Sequence, residues 1–200
     1  GSTAAVLEVM PGVVLNTFAR TETLQQRLAA RVTSREMATV TASSRGEADL
    51  PVAQTVGPWV RSWGDFAQIT PDTSTAGTRW ETDSWGFEAG IGSHLGDHAG
   101  GSLVGSINLR YGATYTELSN SVGRGSINTE GVGMAGSLTW FGHGGAYVDA
   151  IASIDFVSID ATSQGDGLLL DGHDDVVYSA SLEVGQRIEL QGGTTLVPQA

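Results

Sequence analysis

Residues 126–160 read SINTEGVGMAGSLTWFGHGGAYVDAIASIDFVSID. In the first arm Val132, Met134, Gly136, Leu138 and Trp140 fall on one face, and Gly133, Ala135, Ser137 and Thr139 on the other. This period of two belongs to a β-strand with unlike sides. After the Gly-His-Gly-Gly turn at 142–145 the pattern resumes, with Val148, Ala150, Ala152, Ile154 and Phe156 opposite Asp149, Ser153 and Asp155. Each arm exceeds the usual globular strand of roughly 5 to 6 residues and reaches the ~9 to 11 tilted residues that cross a bilayer. The stretch therefore reads as a transmembrane β-hairpin.

The same alternation recurs on both sides. A first strand is expected over Trp59–Ile69, and a second over Arg79–Leu95, with Trp85, Phe87, Ala89 and Ile91 opposite Gly86, Glu88, Gly90, Gly92 and His94. A third runs from Ser102 to about Tyr115, its apolar face opposite Ser106, Asn108, Arg110 and Thr114. The hairpin supplies the fourth and fifth. A sixth, Val176–Leu190, sets Val176, Tyr178, Leu182 and Val184 against Ser179, Ser181, Glu183, Gly185, Arg187 and Glu189, and a seventh starts near Thr194. Short glycine turns follow strands two, four and six, and longer polar connections, Thr70–Thr78, Thr116–Gly125 and Ala161–Asp175, follow the others. Short turns at one end and long loops at the other are an outer-membrane pattern.

Alternation alone does not say which face is inside. The small and charged face, carrying Glu88, Arg110, Asp149, Asp155, Glu183 and Arg187 among glycines and serines, suits a crowded wet lumen. Aromatics toward the strand ends, at 59, 85, 111, 115, 140, 141, 147 and 178, suit girdles at the membrane interfaces. The chain reads as all-β: an antiparallel transmembrane β-barrel preceded by an α-helix.

Composition agrees. Of 200 residues 28 are glycine, there is no cysteine, and all ten basic residues are arginine. Lysine commonly blunts the sheet edges of soluble β-proteins, and a closed barrel has no edge to blunt. No apolar run is long enough for a transmembrane helix. The net charge of −12 argues against a nucleic-acid partner. Residues 1–58 balance five acids against five arginines, so the whole −12 sits in residues 59–200.

Four units follow. Residues 1–12, ending in Pro11-Gly12, read as a passenger remnant or tag, with Gly1-Ser2 as a cleavage scar and any targeting segment upstream. Residues 13–35 change to helical period, with Arg20, Arg27, Arg31 and Arg35 on one stripe, Leu15, Phe18, Ala29 and Val32 on the other, and a net charge of +3. Residues 36–58 form an irregular linker, and residues 59–200 hold the strands. A basic helix before an acidic lumen is expected to dock there as a plug, because opposite charges attract more strongly in a desolvated pore.

At this point the chain resembles the translocator domain of monomeric autotransporters, the type V secretion proteins of Gram-negative bacteria. The residues that carry the resemblance are Trp59-Val60-Arg61, Tyr147-Val148-Asp149, Ser181-Leu182-Glu183-Val184-Gly185 and Leu196-Val197-Pro198-Gln199-Ala200, after a helical linker. The resemblance implies a barrel of twelve antiparallel strands with the linker helix threaded through its pore, in the outer membrane. It implies an N-terminal passenger exported to the cell surface, and partners comprising outer-membrane lipid, the barrel-assembly machinery and periplasmic chaperones. The chain reads as the front part of such a barrel, stopping in its seventh strand.

Other chemistry is sparse. No nucleophile elbow or phosphate loop is present, no cofactor is expected, and His94, His98, His143 and His173 lack metal-ligand spacing. Asp166, Asp171, His173, Asp174 and Asp175 form an acidic loop in which a hard cation is the minor reading. By the same resemblance, Asn16 on the helix with a lumen carboxylate, Glu88 or Asp149, supplies the parts for cleaving the linker. The rival readings are a small outer-membrane or soluble β-barrel that binds a ligand, and, further off, an outer-membrane hydrolase using Asp171, His173 and Asp174.

Overall fold

The computed structural model describes residues 2–18, 24–30, 32–33, 56–70, 77–121, 123–190 and 195–200. Two helices, α1 (Ser2–Phe18) and α2 (Leu24–Ala30), precede a short β1 (Val32–Thr33) and six long strands. These are β2 (Gly57–Ile69), β3 (Arg79–His98), β4 (Gly101–Asn120), β5 (Gly123–Gly142), β6 (Ala146–Ser163) and β7 (Gly167–Gln186). They form one antiparallel meander in sequence order, β1 to β7. Two-residue pieces β8 (Ile188–Glu189) and β9 (Thr195–Leu196) pair with each other. Residues 198–200 then return along β7, with the Ala200 amide on the Val184 carbonyl at 3.0 Å and a bridge between Gly185 and Gln199.

The strands are longer than the sequence suggests. The expected long connections 116–125 and 161–175 are mostly strand: β4 runs to Asn120 and β5 begins at Gly123, while β6 runs to Ser163 and β7 begins at Gly167. Among the described connections the predicted contrast between a short-turn end and a long-loop end is therefore absent. Residues 71–76 of the first long connection, and 36–55 of the expected linker, lie outside the described residues.

The reason these segments look like loops is that the polarity of the two faces swaps partway along β4, β5 and β6. In the lower part the outward face is apolar, with Ile107 at 69%, Leu182 at 71% and Tyr178 at 73% exposure beside Trp85, Phe87, Leu109, Val132, Met134 and Phe156. That stretch is nine residues long in β5 (132–140) and in β7 (176–184), the length that crosses a hydrocarbon layer. Beyond it the outward positions are Glu81, Asp83, Glu117, Asn128, Glu130 and Asp160, all exposed, and the inward positions are Leu118, Ile127, Val157, Ile159 and Ala161, all buried. Alternation continues unbroken while its sense inverts. We call this upper part the collar.

α1 fills the inside of the collar. Val6, Val9, Val13, Val14 and Phe18 pack against Leu118, Ile127, Val157, Ile159, Ala161 and Val177 to make the main apolar core. The helix thus begins at Ser2 rather than near Val13, and residues 2–12 belong to it. Pro11 removes the hydrogen bond to the Leu7 carbonyl, but Leu7, Pro11 and Gly12 share the exposed side of α1, so the break costs no contact with the wall. The helix expected to reach Arg35 ends before Val32, where β1 begins; α2 covers residues 24–30, and Arg20, Arg31 and Arg35 lie outside the described residues. What docks in the collar is an apolar valine stripe, not an arginine stripe.

Three of the expected girdle aromatics face inward. Trp59 and Tyr147 are buried, and Phe141 joins Leu24, Leu28 and Tyr147 in a second small cluster. Trp85, Tyr111 and Phe87 do form an outward group where the apolar part meets the collar, with Trp85 and Tyr111 centroids 5.4 Å apart. His94 keeps the inward register, opposite buried Val104, but is exposed, and the pairing of β3 with β4 slips just after it, between His94 and Gly96.

Candidate functional site

Below the collar the inner wall is a ladder of polar rows set by strand register. In one row Glu88, Arg110, Gly133 and Asp155 are successive partners across β3, β4, β5 and β6. Arg110 reaches over Gly133 to form a two-pronged ion pair with Asp155, which is wholly buried, and also donates to Ser153 Oγ at 2.7 Å. A Cβ on Gly133 would stand 1.9 Å from Asp155 Oδ1, so this row requires glycine there. Glu88 is taken by Arg61 of β2 through two bonds of 2.8 and 3.0 Å and accepts a third from Asn108 at 3.0 Å. Paired, bidentate geometry is what lets charges stay buried.

Nearer the glycine turns a second row holds Thr139, Asp149 and Glu183 as successive partners on β5, β6 and β7. Two carboxylates directly opposite on one face repel each other, and α2 supplies the compensation. Arg27 pairs with buried Asp149, which also accepts from Thr139 at 2.6 Å. Glu183 accepts the Leu24 backbone N–H at 2.8 Å and the Tyr147 hydroxyl at 2.5 Å. The end of α1 is tied to the wall as well, Arg110 donating to the Phe18 carbonyl at 2.8 Å and Thr17 sharing a 2.6 Å hydrogen bond with Thr114. At the collar rim Ser2 shares a hydrogen bond with Ser163 at 2.8 Å, and Thr3 bonds Asp166.

Five of the six wall residues named from the sequence, Glu88, Arg110, Asp149, Asp155 and Glu183, lie on the inward phase of their strands, and Arg187 follows the end of β7. Two of the acids are neutralised by the wall itself, so the lumen is less acidic than its carboxylates suggest. Of the four helix arginines only Arg27 is among the described residues, and it is buried against Asp149. Asn16 sits in the last turn of α1, just above the Glu88 row, whereas Asp149 lies six residues along β6 from Asp155, at the level of α2. Arg61, Thr139, Tyr147, Thr17 and Phe18 were not foreseen as site residues, although Trp59, Arg61 and Trp63 share the inward phase.

Between the two rows a cavity of about 50 Å³ is lined by Arg27, Arg61, Glu88, Asn108 and serines, including Ser153 and Ser179. The residues read as an acidic cation loop lie mainly along extended β7 and are exposed. No three His, Asp or Glu side chains among the described residues stand close enough to hold a metal. No helix among them is long and apolar enough to cross a membrane. The arrangement is suited to gripping a helical segment on a polar wall.

Known proteins share this architecture. Residues 58–200 match the autotransporter beta-domain family. The adhesin BmaC autotransporter of Brucella suis biovar 1 (strain 1330) is 33% identical over 179 residues, which is 89% of this chain and 5% of BmaC. The chain thus spans only a small part of that relative's length. The crystal structure of the beta domain of the Bordetella autotransporter BrkA is similar in fold, with a TM-score of 0.54 at 21% identity over 72% of this chain and 54% of that one. The meander thus shares the fold of an autotransporter beta domain, and the chain belongs to the autotransporter beta-domain family.

Proposed function

We propose that this chain is part of an outer-membrane translocator that exports and anchors an N-terminal passenger, with α1 and α2 occupying the pore afterwards. The observation that carries this reading is that backbone and side-chain groups of both helices complete the polar rows of the wall: the Phe18 carbonyl on Arg110, the Leu24 N–H on Glu183, and Arg27 on Asp149. The helix N-terminus lies at the collar rim beside Ser163 and Asp166, which fits a passenger emerging there. In this reading the collar faces the cell surface and the glycine turns face the periplasm. Outer-membrane lipid surrounds the apolar outer face, and the barrel-assembly machinery and periplasmic chaperones deliver the chain. The naming of BmaC as an adhesin supports an adhesive passenger.

The test is the conductance of the full-length protein in planar bilayers. Arg27→Glu places a third acid beside Asp149 and Glu183 and is expected to raise ion conductance; unchanged conductance would count against the plug. The role proposed is not enzymatic. Glu88 and Asp149 act as wall anchors, each held by an arginine, so Asn16→Ala is expected to leave the release of the passenger unaltered. Loss of a cleaved passenger on immunoblots of the culture medium would instead make Asn16 a reaction centre.

A further inference from the structure

We propose that the inner wall carries a receptor for one aromatic side chain of the pore segment, and that seating Phe18 in it sets the register at which that segment comes to rest. This rests on the reading of α1 as the chain left in the pore. Gly86, Gly112 and Gly131 are successive partners across β3, β4 and β5 and face inward, so their backbones floor a trough. Its contents are visible from what a Cβ would strike. At Gly131 it would lie 2.8 Å from Phe18 Cε1, at Gly112 3.3 Å from Trp63 and 3.6 Å from Phe18, and at Gly86 2.4 Å from Trp63. The Phe18 ring lies in the trough beside Trp63 and is buried.

The rows on either side read the same dipeptide. Above the glycines, Thr114, bonded to Ser84 at 3.0 Å, meets the Thr17 hydroxyl at 2.6 Å. Below them Arg110, fixed by Asp155, takes the Phe18 carbonyl at 2.8 Å. Three consecutive inward rows therefore recognise a hydroxyl, a ring and a carbonyl.

The rest of α1 lacks such discrimination. Val6, Val9, Val13 and Val14 recur at turn spacing against Leu118, Ile127, Val157 and Ile159. A slide of one turn, about 5.4 Å, replaces valine by valine or a similar apolar residue along much of that stripe. Phe18 has no counterpart one turn away, where position 14 is valine and position 22 is glutamate. The aromatic seat therefore distinguishes registers that the greasy stripe does not.

The experiment uses the full-length protein in cells, whose β-domain chain holds no cysteine of its own. Thr3→Cys with Ser163→Cys reports the observed register, since their hydroxyls stand 3.2 Å apart. Leu7→Cys with Ser163→Cys reports a one-turn slip. Cross-link ratios are read only on the band that migrates as folded barrel in unheated gels. The parent is expected to favour the Thr3 pair, and Phe18→Ala to reduce that preference by about tenfold or more, a modest share of what truncating a buried phenylalanine costs. Phe18→Leu, which keeps α1 apolar but removes the ring, is the second variant and is expected to move the ratio in the same direction. An unchanged ratio in both variants overturns the register role alone. Failure of the parent itself to form the Thr3 link overturns the plug reading with it.

Discussion

Gly133 shows how a residue without a side chain governs two that have them. Arg110 and Asp155 sit on β4 and β6, with β5 between them, and their ion pair passes through the space a methyl group would fill. Gly133→Ala is expected to part them, leave the buried Asp155 carboxylate uncompensated, and cost about 3–5 kcal/mol. Gly136→Ala, an exposed position with its nearest neighbour 3.9 Å away, should stay within about 0.5 kcal/mol. Urea unfolding of the barrel refolded in detergent, followed by tryptophan emission, measures both. The sequence identifies the inward residues because alternation within each strand does so. It does not identify their partners, since pairing depends on register between strands, and nothing local in β4 points to Asp155 two strands away. Arg61 was missed as a partner of Glu88 for the same reason.

The helices show which local signals mislead. Pro11-Gly12 reads as a stop, yet the chain is helical from Ser2 and α1 docks through valines, while Arg27, the described member of the arginine stripe, meets the wall at Asp149. The signal was present, because Val6, Val9, Val13 and Thr17 follow helical spacing. It was masked by the two breakers that fall on the opposite side of the helix. The strand ends were misjudged in a related way: Glu117, Ser119, Asp160 and Thr162 look like loop residues until the inward Leu118, Ile159 and Ala161 are set beside them. α1 should depend on its buried stripe. Val6 is fully buried, with Cγ2 only 2.5 Å from where a Gly125 Cβ would stand. Val6→Asp places a carboxylate in that core and is expected to speed proteolysis within residues 2–18 of the folded barrel by about tenfold or more, since local opening sets that rate. Equal cleavage rates would show that α1 is held by something other than its valines.

At the scale of the whole molecule two solvents are written into the central strands. Trp85 faces outward at the upper limit of the apolar part, and Trp80 is a partly buried residue packed against the collar core. In vesicles of lipid brominated on its acyl chains, a variant keeping only Trp85 is expected to be strongly quenched, and one keeping only Trp80 to be little affected. Comparable quenching of both would place the collar within the bilayer. The order of the strands, their alternation and the wall residues were legible because each follows from a two-residue period. The height of the wall was not, because one period describes both halves and only the polarity of the faces tells them apart.

That inversion gives β4, β5 and β6 a depth gauge as well as an orientation. A slip of one residue would turn Ile127 and Ile159 toward water and Val132 and Met134 toward the polar rows, an error at both levels at once. A slip of two residues, about 6.6 Å along the strand, leaves all side chains on their proper faces. It would still carry Glu130, Asp83 or Asp174 toward hydrocarbon, or lift Val132 and Phe156 out of it. The assembling sheet thus has a single height at which its central strands are at rest.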